Sequence, residues 1–136
     1  KEVLGKKKIG CIAGGTGITP CYQVIQAALT NNDGTHLSLV FGNRTTQDIL
    51  LKEELENFAN NYSERFKLYF TVDVKPEEKE NWNMGVGFIT EEMLKENLPA
   101  PSKDTLILYC GPPMFEKMMK DHLTKLGYDA NMQFKF

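Results

Sequence analysis

The chain has no run near the roughly 18 consecutive apolar residues that a membrane-spanning helix needs, and no secretory leader shows at its start. Cysteine is scarce. Cys11, Cys21 and Cys110 are odd in number and lack the spacing of metal ligands, which argues for reduced thiols in an intracellular protein and against a metal site. A charge excess is missing as well: 16 Lys and Arg against 18 Asp and Glu leave a net charge of −2, with the lysines scattered among acids. That excludes the basic footprint of a nucleic-acid-binding protein. The short run Lys6-Lys7-Lys8 reads as a solvated strand edge. No repeat, low-complexity tract or internal linker divides the chain.

What is present is an ordinary globular composition, 41% hydrophobic and 25% charged over 136 residues, which makes one domain with chain enough for a core of its own. The first residues are charged, lead straight into a strand and include no initiator Met, so a fragment with something cut away upstream is expected. Strand and helix signals then alternate. Residues 8–13 read as strand one and 20–31 as helix one, followed by a turn at Asn32-Asp33-Gly34 and strand two at 36–42. Residues 46–61 form the second helix, with Ile49, Leu50, Leu55, Phe58 and Tyr62 on its buried side. Residues 66–72 alternate, are rich in aromatics and form strand three. The polar, acidic stretch 74–84 is a surface excursion. Gly85-Val86-Gly87-Phe88 leads into a short helix at 91–97, ended by Pro99 and Pro101. Strand four is 105–109, a helix with Gly127 as its C-cap covers 114–126, and 132–136 is the last strand.

This alternation requires right-handed crossovers and a sheet covered on both faces. The fold class is therefore α/β: a doubly wound, five-stranded parallel sheet in the order 3-2-1-4-5, Rossmann-like. The order reverses between strands one and four, and ligands bind at the carboxyl ends of strands at such a reversal. The two glycine-bearing turns follow those two strands and so fall at one crevice.

The first turn, Gly14-Gly15-Thr16-Gly17-Ile18-Thr19-Pro20, joins an apolar run to an apolar-periodic segment. Glycines let the backbone take positive φ and let a diphosphate approach the main chain, and the new helix offers unpaired N–H groups and its positive dipole end. Pro20 suits the first helical turn, with Thr19 a good N-cap before it. Gly15-x-Gly17 matches only half of the dinucleotide fingerprint, because Pro20 stands where a third glycine would be, and a purely structural turn is the plain alternative. The second turn, Cys110-Gly111-Pro112-Pro113, weighs against it.

Strand two ends Phe41-Gly42-Asn43-Arg44, without the acid that usually holds ribose hydroxyls. Arg44 alone suggests the 2′-phosphate of NADP, but a surface ion pair with Asp48 is the preferred reading. Asp73 ends strand three, where a carboxylate accepts ribose hydroxyl bonds and repels a 2′-phosphate; a solvated strand-end carboxylate is its alternative. As a nucleophile Cys110 has only His36 or His122 for a base, and His122 lies too far along the next helix. A thiol packed beside a nicotinamide ring suits the position better. A phospho-acceptor receiver domain needs paired acids after strand one, where glycines stand. A non-enzymatic nucleotide-sensing domain stays open.

Gly14-Gly15-Thr16-Gly17-Ile18-Thr19-Pro20, Asn43-Arg44-Thr45 with Asp48-Ile49-Leu50-Leu51, Thr71-Val72-Asp73 and Cys110-Gly111-Pro112-Pro113-Met114 together resemble the NADH-binding half of the cytochrome b5 reductase family, within the ferredoxin-NADP reductase superfamily. The likeness covers essentially the whole chain. It implies that residues 1–136 are an NADH-binding domain, with an FAD-binding β-barrel upstream whose Arg-x-Tyr-Ser/Thr motif does not occur here. It implies NADH and FAD as cofactors, hydride passing from NADH to the flavin, and electrons going on to a haem protein such as cytochrome b5. The flavin-reductase module of nitrate reductase fits the same motifs. By the family pattern Gly15, Thr16, Gly17 and Thr19, with Pro20, contact the pyrophosphate and the flavin edge. Asp73 selects NADH over NADPH; Cys110, Gly111, Pro112 and Met114 flank the nicotinamide, with Cys110 at the reaction; Phe136 lies near the flavin. The fragment alone then binds NADH, catalyses nothing and touches no membrane, in the cytosol or on the cytosolic face of a membrane. Two departures stand out: the turn before Met114 is one residue shorter than the family's, and 74–84 is longer and more acidic, leaving Trp82 unassigned.

Overall fold

The computed structural model describes residues 7–31 and 34–136. Strand β1 (Lys8–Gly14) is buried from Ile9 to its end, and β2 (His36–Asn43) and β5 (Thr105–Cys110) are nearly as dry. Strands without a solvent face need helices on both sides. Alternation along the pleat sorts their side chains: Cys11, Ala13, Leu39, Phe41 and Leu108 turn to one face, Ile12, Val40, Ile107 and Tyr109 to the other. The first face is covered by α1 (Ile18–Asn31), through Ile18, Cys21, Ile25 and Leu29, and by α2 (Lys52–Asn61), through Leu55. The second is covered by α3 (Glu91–Asn97) and α4 (Pro113–Lys125), through Leu94, Met119 and Leu123.

Together with β3 (Phe66–Val72), β4 (Gly85–Val86) and β6 (Gln133–Lys135), these strands form a six-stranded sheet in the order β4-β3-β2-β1-β5-β6, every pair parallel. The predicted order is present, with predicted strands four and five appearing as β5 and β6. The sixth strand corrects the expected count. β4 is two residues long, too short for any alternation to show in sequence, and it adds itself to the edge of β3 opposite Thr71 and Val72.

Other boundaries differ for local reasons. The predicted helix over 46–61 is broken. Asp48 accepts from the N–H of Thr45 at 3.2 Å and from its hydroxyl at 2.9 Å, closing a capping box around a single 3₁₀ turn, Thr46–Asp48. Ile49 is then extended, Leu51 takes a left-handed φ of 57°, and α2 starts afresh at Lys52. That kink turns Leu50, predicted as core, out to solvent. The last strand is trimmed to three residues because Ala130–Met132 forms a 3₁₀ turn, started by the Asp129 carboxylate accepting from Asn131 N–H. Asn32 and Asp33 of the predicted turn, and Lys6 of the basic run, lie outside the described residues; Lys7 and Lys8 are exposed.

Several helix ends are capped, Gly127 among them as expected. The Thr90 hydroxyl accepts from Met93 N–H at the head of α3. Pro113 opens α4, and Gly127 at φ 98° follows its last turn, where Gly127 N–H bonds Thr124 and Tyr128 N–H bonds Leu123. α1 has no basic residue in its last turn, but Arg65 reaches it from the loop before β3. Its guanidinium donates to the carbonyls of Ala28 at 3.0 Å, Leu29 at 3.4 Å and Thr35 at 3.1 Å.

The 74–84 excursion exposes its charged residues but returns to the core through Trp82. The indole stacks on Phe70 with centroids 6.4 Å apart, and its N–H donates to the Gly85 carbonyl at 2.9 Å. Trp82 thus fastens β4 to the sheet. Trp82→Ala is expected to lower unfolding stability by about 3 kcal/mol, and Trp82→Phe, which loses mainly the hydrogen bond, by about 1 kcal/mol. Urea midpoints for the two variants check this; equal losses would show that stacking contributes nothing.

Candidate functional site

At the carboxyl ends of β1, β2 and β3 a cleft of about 600 Å³ opens toward α4. Its floor is built by the strand-to-helix junction after β1. Gly14 is still extended at φ −123°, Gly15 turns to a left-handed φ of 56°, and a 3₁₀ turn, Gly15–Gly17, runs directly into α1. Helical winding therefore begins earlier than predicted, and Thr19 is the second residue of α1 rather than its N-cap; Pro20 sits in the first turn of α1 as expected. The physical reason is Gly15: without a Cβ it can reverse the strand at once, leaving no loop for a cap to close. The Ile18 N–H bonds back to the Gly15 carbonyl, so the N–H groups of Thr16 and Gly17 precede the first helical bond. That is the donor set an anion at a helix start uses.

The second turn lies directly behind this one. A Cβ on Gly17 would fall on the carbonyl oxygen of Cys110, so only glycine lets the α1 turn and the end of β5 approach so closely. Register places Ala13 of β1 opposite Cys110 of β5. Gly111 N–H donates to Glu116 Oε2 at 3.3 Å, which ties the turn to the first coil of α4, and Lys135 of β6 stands 4.0 Å from the other Glu116 oxygen. Pro112 and Met114 line the cleft from this side.

The opposite lip comes from the ends of β2 and β3, which stay zipped one step beyond their ladder. Asp73 N–H donates to the Asn43 carbonyl at 3.0 Å and Val74 N–H to that of Arg44 at 2.9 Å. Arg44 and Asp73 are thereby held on neighbouring strand ends, both exposed and both lining the cleft. The expected Arg44–Asp48 ion pair does not form. The Asp48 carboxylate is taken by Thr45, and among the described residues neither Arg44 nor Asp73 has an ion-pair partner.

Of the residues singled out in sequence, Gly15, Thr16, Asp73, Pro112 and Met114 line the cleft. Gly17, Cys110 and Gly111 form the contact behind it. Phe136 stands apart, beyond the end of β6, its N–H bonded to the Tyr109 carbonyl and its ring edge-on to Phe134. Phe88, Leu50 and Met118 also line the cleft and were not singled out. Gly87 at φ 105° turns the chain so that Phe88 reaches the cleft, which its sequence does not announce; Leu50 and Met118 sit at helical spacing and look like core.

Cys110 is half-buried, and burial first, then the neighbouring Cys21 and Glu116, push its pKa up, so it stands as a neutral thiol. His36 begins β2 at the far end of the sheet, and His122 faces Glu91, Nδ1 to Oε2 3.4 Å, so neither can serve Cys110 as a base. Among the described residues no group of three or more His, Cys, Asp or Glu could hold a metal ion, and no helix is long and apolar enough to cross a membrane.

The sequence profile of the oxidoreductase NAD-binding domain matches residues 11–121, which takes in both glycine turns and the Asp73 strand end. The chain belongs to this family. The NAD-binding domain is 46% identical over 132 residues to NADH-cytochrome b5 reductase 1 of Dictyostelium discoideum, covering 96% of this chain and 45% of that protein. It is 48% identical over 125 residues to an NADH nitrate reductase of Phaseolus vulgaris, covering 90% of this chain and 14% of that one. The crystal structure of the cytochrome b5 reductase domain of Ulva prolifera nitrate reductase superposes with a TM-score of 0.90 at 37% identity, over 96% of this chain and 50% of that chain. The NAD-binding domain thus spans half or less of the length of each protein it is compared with. Its residues fit a dinucleotide: an open glycine turn with first-coil donors, an unpaired carboxylate at a strand end, and exposed apolar side chains between them.

With Cys11 and Cys21 fully buried, Cys110 is the thiol open to reagents. Its raised pKa predicts that iodoacetamide labelling, followed by mass spectrometry, climbs with a midpoint above the roughly 8.5 of a free thiol. The same shift makes stability fully present at neutral pH and lost as pH rises through the folded-state value, because the folded chain holds the proton more tightly. Fast labelling at neutral pH would contradict both.

Proposed function

We propose that this chain is the pyridine-nucleotide half of an FAD-dependent oxidoreductase that passes hydride from NADH to FAD and then electrons to a haem protein such as cytochrome b5. The observation that carries the proposal is the convergence of Gly15 and Thr16 from the first glycine turn, the unpaired Asp73 carboxylate, and Pro112 and Met114 from the second turn on one cleft at the carboxyl ends of the strands. The likeness to two kinds of NADH-dependent reductase supports it. The same likeness supports the reductase module of a nitrate reductase, which shares this half. An FAD-binding β-barrel elsewhere in the protein belongs to the proposal, supported by the fraction of each relative that this chain spans. So does an intracellular setting, in the cytosol or at the cytosolic face of a membrane, supported by three free cysteines.

Hydride transfer is chemistry that the nicotinamide and flavin carry themselves. The chain's part is to bind and orient. The N–H groups of Gly15, Thr16 and Gly17, helped by the α1 dipole, hold the pyrophosphate, with Thr19 and Pro20 shaping the same coil. The Asp73 carboxylate accepts from ribose hydroxyls and repels a 2′-phosphate. Cys110, Gly111, Pro112 and Met114 flank the nicotinamide, with the Cys110 thiol, neutral and half-buried, as the group nearest the reaction. Phe136 faces the flavin side. No residue here has to move a proton, and orientation alone is worth up to about 7–11 kcal/mol of barrier.

Amide chemical-shift titration with NADH and with NADPH tests this reading. NADH is expected to shift Thr16, Gly17, Asp73 and Gly111, with NADPH much weaker. Asp73→Ser is expected to narrow the preference about tenfold, or ~1.4 kcal/mol. A stronger NADPH response centred on Arg44 would sink the specificity assignment, and silence with both nucleotides would sink the nucleotide site.

A further inference from the structure

Thioethers line the cleft, and a thiol, Cys110, lies in the contact behind it. Met114 and Met118 lie four residues apart on α4, hence on one face of the helix, and both line the cleft. They are 73% and 40% exposed, whereas their neighbour Met119, which also borders the cleft, is 1% exposed and packed in the core, so exposure alone separates them. Cys110 stands close by at the end of β5 with its thiol protonated. A protonated thiol is a poor nucleophile, whereas a thioether has no proton to lose and reacts according to access. The surroundings of the two methionines are apolar: Phe88, Leu50, Pro112 and Phe115 line the same cleft. A polar group added there replaces an apolar surface that a flat ring can lie against.

We propose that Met114 and Met118 are an oxidation site at the lip of the cleft, through which peroxide-class oxidants weaken nucleotide binding. A lone pair on the thioether sulfur attacks one peroxide oxygen; the S–O bond forms as the O–O bond breaks, and the departing hydroxide takes the proton carried on the transferred oxygen, leaving the neutral sulfoxide and water. Sulfur is oxidised by two electrons and the peroxide is reduced by two. The product, methionine sulfoxide, is polar and chiral, and methionine sulfoxide reductases can return it to the thioether. The site of oxidation stands on exposure and placement alone; its consequence for binding rests on the nucleotide reading above.

Hydrogen peroxide treatment of the chain followed by peptide mapping is expected to oxidise Met114 and Met118 roughly tenfold faster than Met119, and to leave Cys110 unmodified at neutral pH. Saturating NADH should slow both. NADH affinity, titrated before and after treatment, is expected to fall about fivefold in the native chain. The Met114→Leu/Met118→Leu chain, a volume-conserving change that keeps the fold, should carry whatever affinity it starts with through the treatment unchanged. Met119 or Cys110 oxidising as fast as Met114 would overturn the site. Loss of affinity in the double-leucine chain in the same proportion as in the native chain would overturn its consequence. An untreated chain that binds no NADH would instead defeat the nucleotide reading, while the mapping would still decide the oxidation site.

Discussion

Gly17 lies against the main-chain carbonyl of Cys110, and there the coil that begins α1 and the turn that ends β5 meet with no side chain between them. The cleft depends on that closeness. β1 and β5 are hydrogen-bonded neighbours, yet the chain leaves them for opposite faces of the sheet, into α1 on one side and α4 on the other. Two strands about 4.8 Å apart whose continuations diverge must open a crevice between them. How deep it runs is set by how tightly the departing segments close at its base. A methyl group at position 17 would drive them apart, and with them Gly15 and Thr16, which border the cleft beside Asp73 and Met114.

The cleft is also electrically unusual for a place that would hold a doubly charged diphosphate. No cluster of lysines lines it; Arg44 is its cation, with Asp48 and Asp73 nearby. Attraction for an anion has to come from oriented N–H groups at the α1 coil. Such dipoles act within a turn of the helix and are fixed in direction. They favour a phosphate placed correctly and give little to one that is merely near, which suits a site meant to hold a cofactor in a single pose.

Much of this arrangement was legible in the chain. β3 and α3 matched the expected ranges because their signals are local: an aromatic-rich run in one, following prolines in the other. That Gly15, Thr16 and Asp73 border one crevice was legible because they stand at the ends of strands on either side of the reversal in strand order. Other features had no local signature. The Thr45–Asp48 capping box looks like a helix start in sequence, and nothing there announces that the helix stops after one turn. β4 exists only because β3 offers an edge and Trp82 holds the returning chain against it. Leu50, Phe88 and Met118 are apolar residues at the spacing of buried ones, and only the assembled fold shows that they face a cleft.

Arg65 gives the arrangement one more consequence. Its guanidinium closes the carbonyl end of α1, at the opposite pole from the cleft, and in the same reach pins the chain entering β2 through Thr35. A helix that cannot fray at its tail cannot slide or tilt at its head. The position of the coil that begins α1 is therefore anchored from the other end of the helix, by a cation outside the cleft. Substitutions far from the cleft, in a loop with no chemistry of its own, can then misalign it while leaving every residue that borders it in place.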